Sequence, residues 1–534
     1  MSRSRRKRQR QQQRQKRRQH NQQLRQQASS AQAASVGTPA DALLPRAALQ
    51  TDDPHPHAAR KWYVLAASAL GAFLATVMAT SVNVILPSLV RAFATDFAVV
   101  QWVVLSFLLA NTTLLPIIGR LADVLGKKSL FVSGFAVFVS GSLLCSLSPS
   151  IAALIGFRIV QGIGAGMLTA LGFALITEVF PAQERGKAIG INGAVLSSGV
   201  VIGPTIGGFL VDVLSWRLVF ALGIPIGLFG MLLAWWFVPA SPPAAKSLRF
   251  DIAGSLSLAL ALLSLLLGLT TGQRRGFDDG LVWGLFVASA LIMLYFVWLE
   301  LHHEDPLLDL RLFRSSALSI GLSTGLVVFI CIAGTIFLMP FYLENVLGYP
   351  PQRVGLLMAV TPIVLVIMAP ISGSLSDRFG SRPVTTAGLF FLLIGYGSIS
   401  SLSENTTALG YILRFLPVGL GMGTFQAPNN SAIMGSVPRG RAGVAGGLLT
   451  MTRTLGQTAG ISVLGAIWAT RVALHGNVTA DVATFAPLQA QVRGLQDMLL
   501  LNQGLIACAL ALSIWGLLRE RQRNQLQKLE TLQS

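Results

Sequence analysis

The stretch GRLADVLGKK at 119–128 places one acidic and three basic residues between two long apolar runs. A similar stretch, GSLSDRFGSR, occupies 373–382. Each stretch follows the second apolar run of a block of six, so the two copies mark an internal repeat. The blocks cover 62–238 and 316–517, and two further apolar runs within 251–300 separate them. The sequence therefore predicts two six-helix bundles with an inserted two-helix hairpin.

Composition indicates a membrane protein. Of the 534 residues, 52% are hydrophobic and only 12% are charged, and the mean hydropathy is +0.62. Soluble domains carry about 25% charged residues, and their helices need polar faces that most of these runs lack. A helix needs about 20 apolar residues to cross a bilayer. We therefore predict an all-α polytopic membrane protein with fourteen transmembrane helices. The predicted spans are 62–87, 98–118, 129–147, 151–177, 187–211, 216–238, 251–271, 281–300, 316–343, 352–372, 384–402, 407–428, 443–470 and 497–517.

The domain boundaries follow from these runs. The predicted parts are a disordered basic tail at 1–60, a bundle at 61–240, a linker and hairpin at 241–310, a second bundle at 311–517 and a C-terminal tail at 518–534.

Basic residues are unevenly distributed between the loops. The set of alternate loops that contains both decapeptides holds thirteen Lys or Arg residues, and the other set holds seven. Loops rich in Lys and Arg stay in the cytoplasm. This predicts an inner (plasma) membrane protein with both termini in the cytoplasm. Arg274 and Arg275 oppose the bias, with Asp278 and Asp279 beside them.

More than half of the net charge of +19 lies in the N-terminal tail, where residues 1–30 hold eleven basic residues and no acidic one. Three interpretations stay open. The tail could contact anionic lipid. It could bind nucleic acid, although interleaved aromatic residues are lacking. The interpretation that we favour is a tail that serves topology and solubility. A membrane-tethered binding protein that acts through this tail is the alternative to a transport function.

Five motifs occur in order at matching spans. They are Gly119-x-x-x-Asp123-x-x-Gly126-Lys127-Lys128, Arg158-x-x-Gln161-Gly162, Gly199-x-x-x-Gly203-Pro204-x-x-Gly207-Gly208, Ser376-Asp377-Arg378-x-Gly380-x-Arg382 and Arg453-x-Leu455-Gly456. Together they resemble the fourteen-span drug:proton antiporter branch of the major facilitator superfamily, over about 60–520. The resemblance implies the major facilitator fold and proton-coupled efflux of small amphiphilic compounds or drugs. In such transporters two bundles rock around a midplane site.

Other chemistries are disfavoured. An ATP-binding GxxxxGK[ST] loop is absent, since Leu121 stands where that motif would need its first glycine before Gly126-Lys127. The glycine-rich 162–166 lies inside a span, which argues against dinucleotide binding. All three cysteines lie in apolar runs without a CxxC pair, so we expect no metal site and no cofactor. The expected partners are a small-molecule substrate, protons or another coupling ion, and the lipid bilayer.

The decapeptides supply candidates for a conformational clasp at the cytoplasmic face. Asp123 can accept hydrogen bonds from Lys or Arg, or from a helix N-terminus, where the helix dipole favours an anion. Such a contact can break when the bundles rock. The candidate clasp residues are Asp123, Arg120, Lys127, Asp377 and Arg378.

Polar residues inside the spans are candidates for the substrate or coupling path. A charge such as that of Arg158 costs about 2.5–3.5 kcal/mol at the centre of a span, so it is a functional candidate by default. Hydroxyls and amides could equally line a cavity or join helices. The candidates are Arg158, Gln161, Thr80, Asn83, Asn111, Arg453 and Asn429. Gly199, Gly203, Pro204, Gly207 and Gly208 form the antiporter motif, which we predict to pack helices closely.

The sequence departs from its relatives at Met78, where many of them carry an aspartate. No other acidic residue is evident in the middle of a span. An anionic, zwitterionic or neutral substrate is therefore at least as well matched as a cation, and a dedicated lipid, siderophore or metabolite exporter stays open as the alternative. Proton coupling would use Asp123, Asp212, Glu344 or another carboxylate near a span end.

Overall fold

The structure is a computed structural model that describes residues 56–181, 184–240, 252–302, 315–437 and 442–533. The described residues form fourteen long helices, counting pieces separated by a short break as one helix, and each coincides with a predicted apolar run. A short 3-10 helix, Ala480–Phe485, lies outside the predicted runs. The helices are α1 Pro56–Phe93, α2 Phe97–Leu125, α3 Lys127–Ser146, α4 Ile151–Val179, α5 Arg185–Val213, α6 Trp216–Ala221 with Gly223–Phe237, α7 Ile252–Arg275, α8 Gly280–His302, α9 Ser316–Phe341, α10 Pro351–Met358 with Val360–Phe379, α11 Ser381–Ile399, α12 Ala408–Gly435, α13 Ala442–Ala459 with Gly465–Gly476, and α14 Leu488–Gln533.

Within the described part of the chain, ten helices are long and apolar enough, by length and composition, to cross a membrane. Two further helices, α2 and α7, contain shorter apolar stretches at Phe97–Asn111 and Leu256–Gly272. The all-helical membrane architecture is confirmed, whereas the count of fourteen spans stays a prediction.

The internal repeat is visible in the helix packing. We call α1–α6 the first block and α9–α14 the second block. In the first block α4 packs against α2 and α3, and in the second block α12 packs against α10 and α11. Glycines allow these close contacts, because a Cβ atom on Gly164 would lie 2.5 Å from the backbone nitrogen of Phe138. In the second block, a Cβ atom on Gly421 of α12 would likewise lie 2.6 Å from the backbone nitrogen of Leu392 on α11.

The inserted hairpin, α7 and α8, contacts both blocks. The two helices pack on each other, and α7 lies along α2. A small apolar cluster joins the hairpin to α2 and to α13, and its members are Leu258, Leu262, Phe296, Leu109, Met451 and Leu455.

Two glycine turns hold the charged decapeptides at one end of the molecule. Gly126 separates α2 from α3 with a φ of 85°, and Gly380 separates α10 from α11 with a φ of 87°. This region of backbone space favours glycine, which lets one helix follow another without a linker. We call this end the motif face. The other end, where α1 gives way to α2 and α9 to α10, is the opposite face.

Candidate functional site

Arg158 is completely buried inside the first block. Its Nε donates to the carbonyl oxygen of Val103 on α2, at 2.8 Å, and its Nη1 donates to Oε1 of Gln161, at 2.5 Å. Gln161 in turn donates from Nε2 to Oγ of Ser142 on α3, at 2.8 Å. The two residues of this motif therefore link α4 to α2 and α3 through one hydrogen-bonded network.

Two aromatic rings complete the surroundings of Arg158. Its guanidinium carbon lies 4.1 Å from the ring centroid of Phe107 on α2 and 5.8 Å from that of Phe220 on α6. A guanidinium at such distances is attracted to the ring faces. Its Nη2 has no hydrogen-bond partner among the described residues, and none of their carboxylates pairs with it. The arrangement holds four helices together around one charge.

Arg453 occupies a tight crossing of α13 and α9 in the second block. The side chain is half-buried, and its guanidinium carbon lies 5.8 Å from the ring of Phe329. One turn later, a Cβ atom on Gly456 would lie 2.7 Å from Cβ of Phe329. A π-helical segment, Gly460–Leu464, follows within α13. Such segments occur frequently at functional sites, so the crossing stays a candidate for the transport path.

The hydroxyls of α1 join that helix to α5. Oγ1 of Thr80 donates to the carbonyl oxygens of Thr76, at 2.9 Å, and Gly199, at 3.4 Å. Oγ of Ser81 donates to the carbonyl oxygen of Gly203, at 2.9 Å. Ser81 follows the candidate Thr80 directly in the sequence and is not itself among the residues predicted from the sequence. Both hydroxyls therefore connect helices in this structure.

The three candidate amides have different surroundings. Asn429 is buried on α12 and donates from Nδ2 to the carbonyl oxygen of Gly321 on α9, at 3.1 Å. Asn83 is buried and Asn111 half-buried, and the Oδ1 atom of each lacks a hydrogen-bond partner among the described residues. Both buried carbonyl oxygens lie in the first block and stay candidates for the substrate or coupling path.

Met78 is fully buried in the core of the first block. At this position of α1, where many relatives carry an aspartate, the chain supplies an apolar packing residue. The described acidic residues lie near the ends of the helices, at one face or the other.

The antiporter motif packs one side of α5 against α1. A Cβ atom on Gly203 would lie 2.0 Å from Oγ1 of Thr80, and one on Gly207 would lie 2.8 Å from the carbonyl oxygen of Ser81. Such small-residue stripes let two backbones approach closely. The structure thus places Gly203 and Gly207 of the predicted packing motif at the crossing of α1 and α5.

The same motif also reaches the second block, which the sequence did not predict. A Cβ atom on Gly208 would lie 2.2 Å from the carbonyl oxygen of Pro351 at the start of α10. Reciprocally, a Cβ atom on Gly355 of α10 would lie 2.3 Å from the carbonyl oxygen of Pro204. The glycine faces of α5 and α10 thus meet backbone to backbone in the half of the molecule near the opposite face.

Two further contacts join the blocks at the opposite face. Arg91 at the end of α1 forms an ion pair with Glu344, which lies in a π-helical segment, Tyr342–Val346, after α9. Phe97 at the start of α2 lies 5.4 Å from the ring of Phe341 and 4.7 Å from that of Trp468. The blocks therefore meet here through an ion pair and through aromatic rings in edge-on and tilted contact.

The motif face differs, because the ion pairs described there lie within a single block. They are Lys61–Glu184 at 2.5 Å, Lys127–Glu178 at 2.6 Å and Arg382–Glu520 at 2.8 Å. Asp377 and Arg378 are exposed on α10 and form no ion pair with a described residue. The side chains of Asp123 and Arg120 lie outside what the structure describes, so the predicted clasp stays a prediction.

Comparisons with known proteins identify the family. The family model described as Major Facilitator Superfamily matches residues 68–461. The riboflavin transporter RibZ of Clostridioides difficile (strain 630) is 33% identical over 77% of this chain and 89% of its own. The multidrug resistance protein Stp of Mycobacterium tuberculosis is 34% identical over 76% of this chain and 75% of its own.

A solved structure gives the same fold. It is a bacterial homolog of the human lysosomal transporter Spinster, described as inward-facing and unoccupied, with a TM-score of 0.62. The match covers 86% of this chain and 97% of the other, at 16% identity. The chain therefore belongs to the major facilitator superfamily, in the branch that includes multidrug-resistance proteins, and is a multi-pass membrane transporter and not an enzyme.

Proposed function

We propose that this transporter exports small amphiphilic organic compounds by alternating access and uses the entry of protons as its driving force. One observation carries the proposal. The described contacts between the blocks concentrate near the opposite face, whereas the described ion pairs at the motif face stay within one block. Two bundles that are joined at one face and separable at the other correspond to one of the two end states of alternating access.

Loop charge gives this arrangement a direction. The decapeptide loops carry the basic excess, so the motif face is the cytoplasmic one in the proposal. The joined end is then external, and the protein is ready to accept a compound from the cytoplasm. The structural relative is described as inward-facing, which supports the same assignment.

The interior favours substrates other than plain cations. The described acidic residues lie near the faces, Met78 is apolar, and Arg453 forms no ion pair with a described residue. A lipophilic cation gains most from a buried counter-charge. We therefore infer that anionic, zwitterionic or neutral amphiphiles are accepted at least as well as cations.

Reconstitution into proteoliposomes tests the proposal. Uptake of a cationic dye, an anionic dye and riboflavin would be measured with and without an imposed pH gradient. We expect the gradient to drive accumulation, with the anionic or neutral probe included. Accumulation that ignores the gradient would contradict proton coupling, and accumulation of the cationic dye alone would contradict the inference on substrate charge.

A dedicated lipid, siderophore or metabolite exporter is the second candidate. Met78 and the similarity to a protein named as a riboflavin transporter favour it. The two candidates differ in selectivity. A dedicated exporter would transport one of a panel of structurally unrelated amphiphiles, whereas a multidrug exporter would transport several that compete with each other.

A further inference from the structure

We propose that Arg91 and Glu344 form a latch that holds the opposite face closed, and that Arg91 is the partner whose loss opens it. The proposal rests on the alternating access described under the proposed function. It goes further, because it assigns the control of one face to a single ion pair between the blocks.

The pair has the geometry of a latch. Arg91 belongs to the first block and Glu344 to the second, and the two side chains are paired directly. Glu344 stands in a π-helical turn, and such turns are frequent at functional sites. Any movement that separates the blocks at the opposite face must break this pair. The ring contacts of Phe97 with Phe341 and Trp468 must separate in the same movement.

The two partners differ in burial. The side chain of Glu344 is 7% exposed, whereas that of Arg91 is 52% exposed. One carboxylate oxygen of Glu344 is buried without a hydrogen-bond partner among the described residues. Arg91 is thus the principal group that offsets the buried negative charge.

Other charged groups at the opposite face do not replace Arg91. Asp212 on α5 brings a second negative charge close enough to repel it. Arg353 on α10 lies over the ring of Tyr349, at 4.2 Å from its centroid, and Arg493 on α14 is exposed. Without Arg91 the Glu344 carboxylate must either become hydrated, by opening of the face, or take up a proton. The variants are therefore compared at alkaline pH, where protonation is disfavoured.

Because the two partners differ in burial, removing Arg91 and removing Glu344 should have different effects. Breaking a buried ion pair from one side is costly, whereas removing both charges is often nearly neutral. Arg91→Gln strands a buried anion and should open the opposite face. Glu344→Gln leaves a solvated guanidinium and an amide, so it should open that face much less. The double variant Arg91→Gln/Glu344→Gln should recover most of the closed population.

Distances between spin labels would measure the populations with an open and with a closed opposite face, and no substrate is needed. Leu214 and Leu409 are exposed positions at the opposite face, one in each block, and Leu125 and Phe379 are their counterparts at the motif face. Cys508 is exposed and would first be replaced by Cys508→Ser, whereas Cys145 and Cys331 are buried. Double electron–electron resonance on each labelled pair then reports the opening of each face.

We expect Arg91→Gln to raise the ratio of open to closed opposite faces by roughly tenfold or more. The distance between 214 and 409 should lengthen while that between 125 and 379 shortens. Arg471→Gln is the matched control. Arg471 lies at the same face, is 54% exposed and pairs with Asp497 within the second block. This control should leave both distances unchanged.

An unchanged distance between 214 and 409 in Arg91→Gln would overturn the latch, and so would equal opening by Arg471→Gln. Equal opening by Glu344→Gln would overturn the assignment of Arg91 as the controlling partner. The distances need no substrate, so failure of gradient-driven export in proteoliposomes would count against the proposed function and leave the latch to be judged by the distances alone.

Discussion

At the scale of single residues, Arg158 shows how a buried charge can hold the helices of a bundle together. The sequence places this arginine within a span and marks it as costly. It cannot show that a carbonyl of α2 and two rings on α2 and α6 surround it, because those partners lie 51 to 62 positions away along the chain. Because Arg158 is buried among these partners, we expect its substitution to affect the stability of the protein first.

We expect Arg158→Ala to lower the free energy of unfolding by about 3 kcal/mol or more, since it leaves a cavity and removes charged hydrogen bonds. Arg158→Lys should lose part of that stability, because one ammonium cannot replace the planar fork. Thermal unfolding of the detergent-solubilised protein checks both. If Arg158→Ala kept wild-type stability and lost only transport, a place on the substrate or coupling path would be the better explanation.

Gly203 is the position at which the α1–α5 contact tolerates a larger side chain least. Gly203→Ala places a methyl group against Thr80, and overpacking of this type costs about 1–3 kcal/mol. Gly193→Ala on the same helix is the control. A Cβ atom there meets nothing within 4 Å, so that variant should be neutral or slightly stabilising. Equal unfolding temperatures for the two variants would contradict the close α1–α5 approach.

At the scale of elements, the apolar runs predict the positions of the fourteen long helices of the described chain, because a run of about 20 apolar residues indicates a candidate spanning helix. Helix partners are harder to predict. The stripe of Gly199, Gly203 and Gly207 indicates that α5 packs closely against another helix. The structure shows that this helix is α1. Gly208 meets Pro351, which is 143 positions away, and no local pattern connects these two residues.

The α5–α10 crossing carries its own prediction. Gly208→Ala and Gly355→Ala should each hold the blocks apart near the opposite face, since the added methyl would meet a backbone carbonyl that cannot rotate away. We expect slower transport and a longer distance between labels at 214 and 409. Gly190→Ala, in open space on α5, should change neither. A closed opposite face in Gly208→Ala would show that the crossing adapts to a methyl group.

At the scale of the whole molecule, the boundary between the basic tail and the bundles can be tested by truncation. Nε of Arg60 donates to the carbonyl oxygen of Phe237, at 2.9 Å, and Lys61 pairs with Glu184. Deleting residues 1–58 keeps both contacts and should leave transport and unfolding temperature unchanged. Deleting residues 1–61 removes both and should lower the unfolding temperature. Loss of activity with the shorter deletion would support a function of the tail itself.

The inserted hairpin makes the boundary between the blocks differ in its exposure to lipid on the two sides of the transporter. On one side α7 bridges α2 and α13 through a shared apolar cluster, so lipid tails are kept out of that seam. On the other side the close glycine contacts between α5 and α10 lie near the opposite face. If the motif face is cytoplasmic, as proposed, we expect a compound dissolved in the inner leaflet to enter between α5 and α10. Photoactivatable acyl chains should label α5 and α10 towards the motif face and spare Leu109 and Met451.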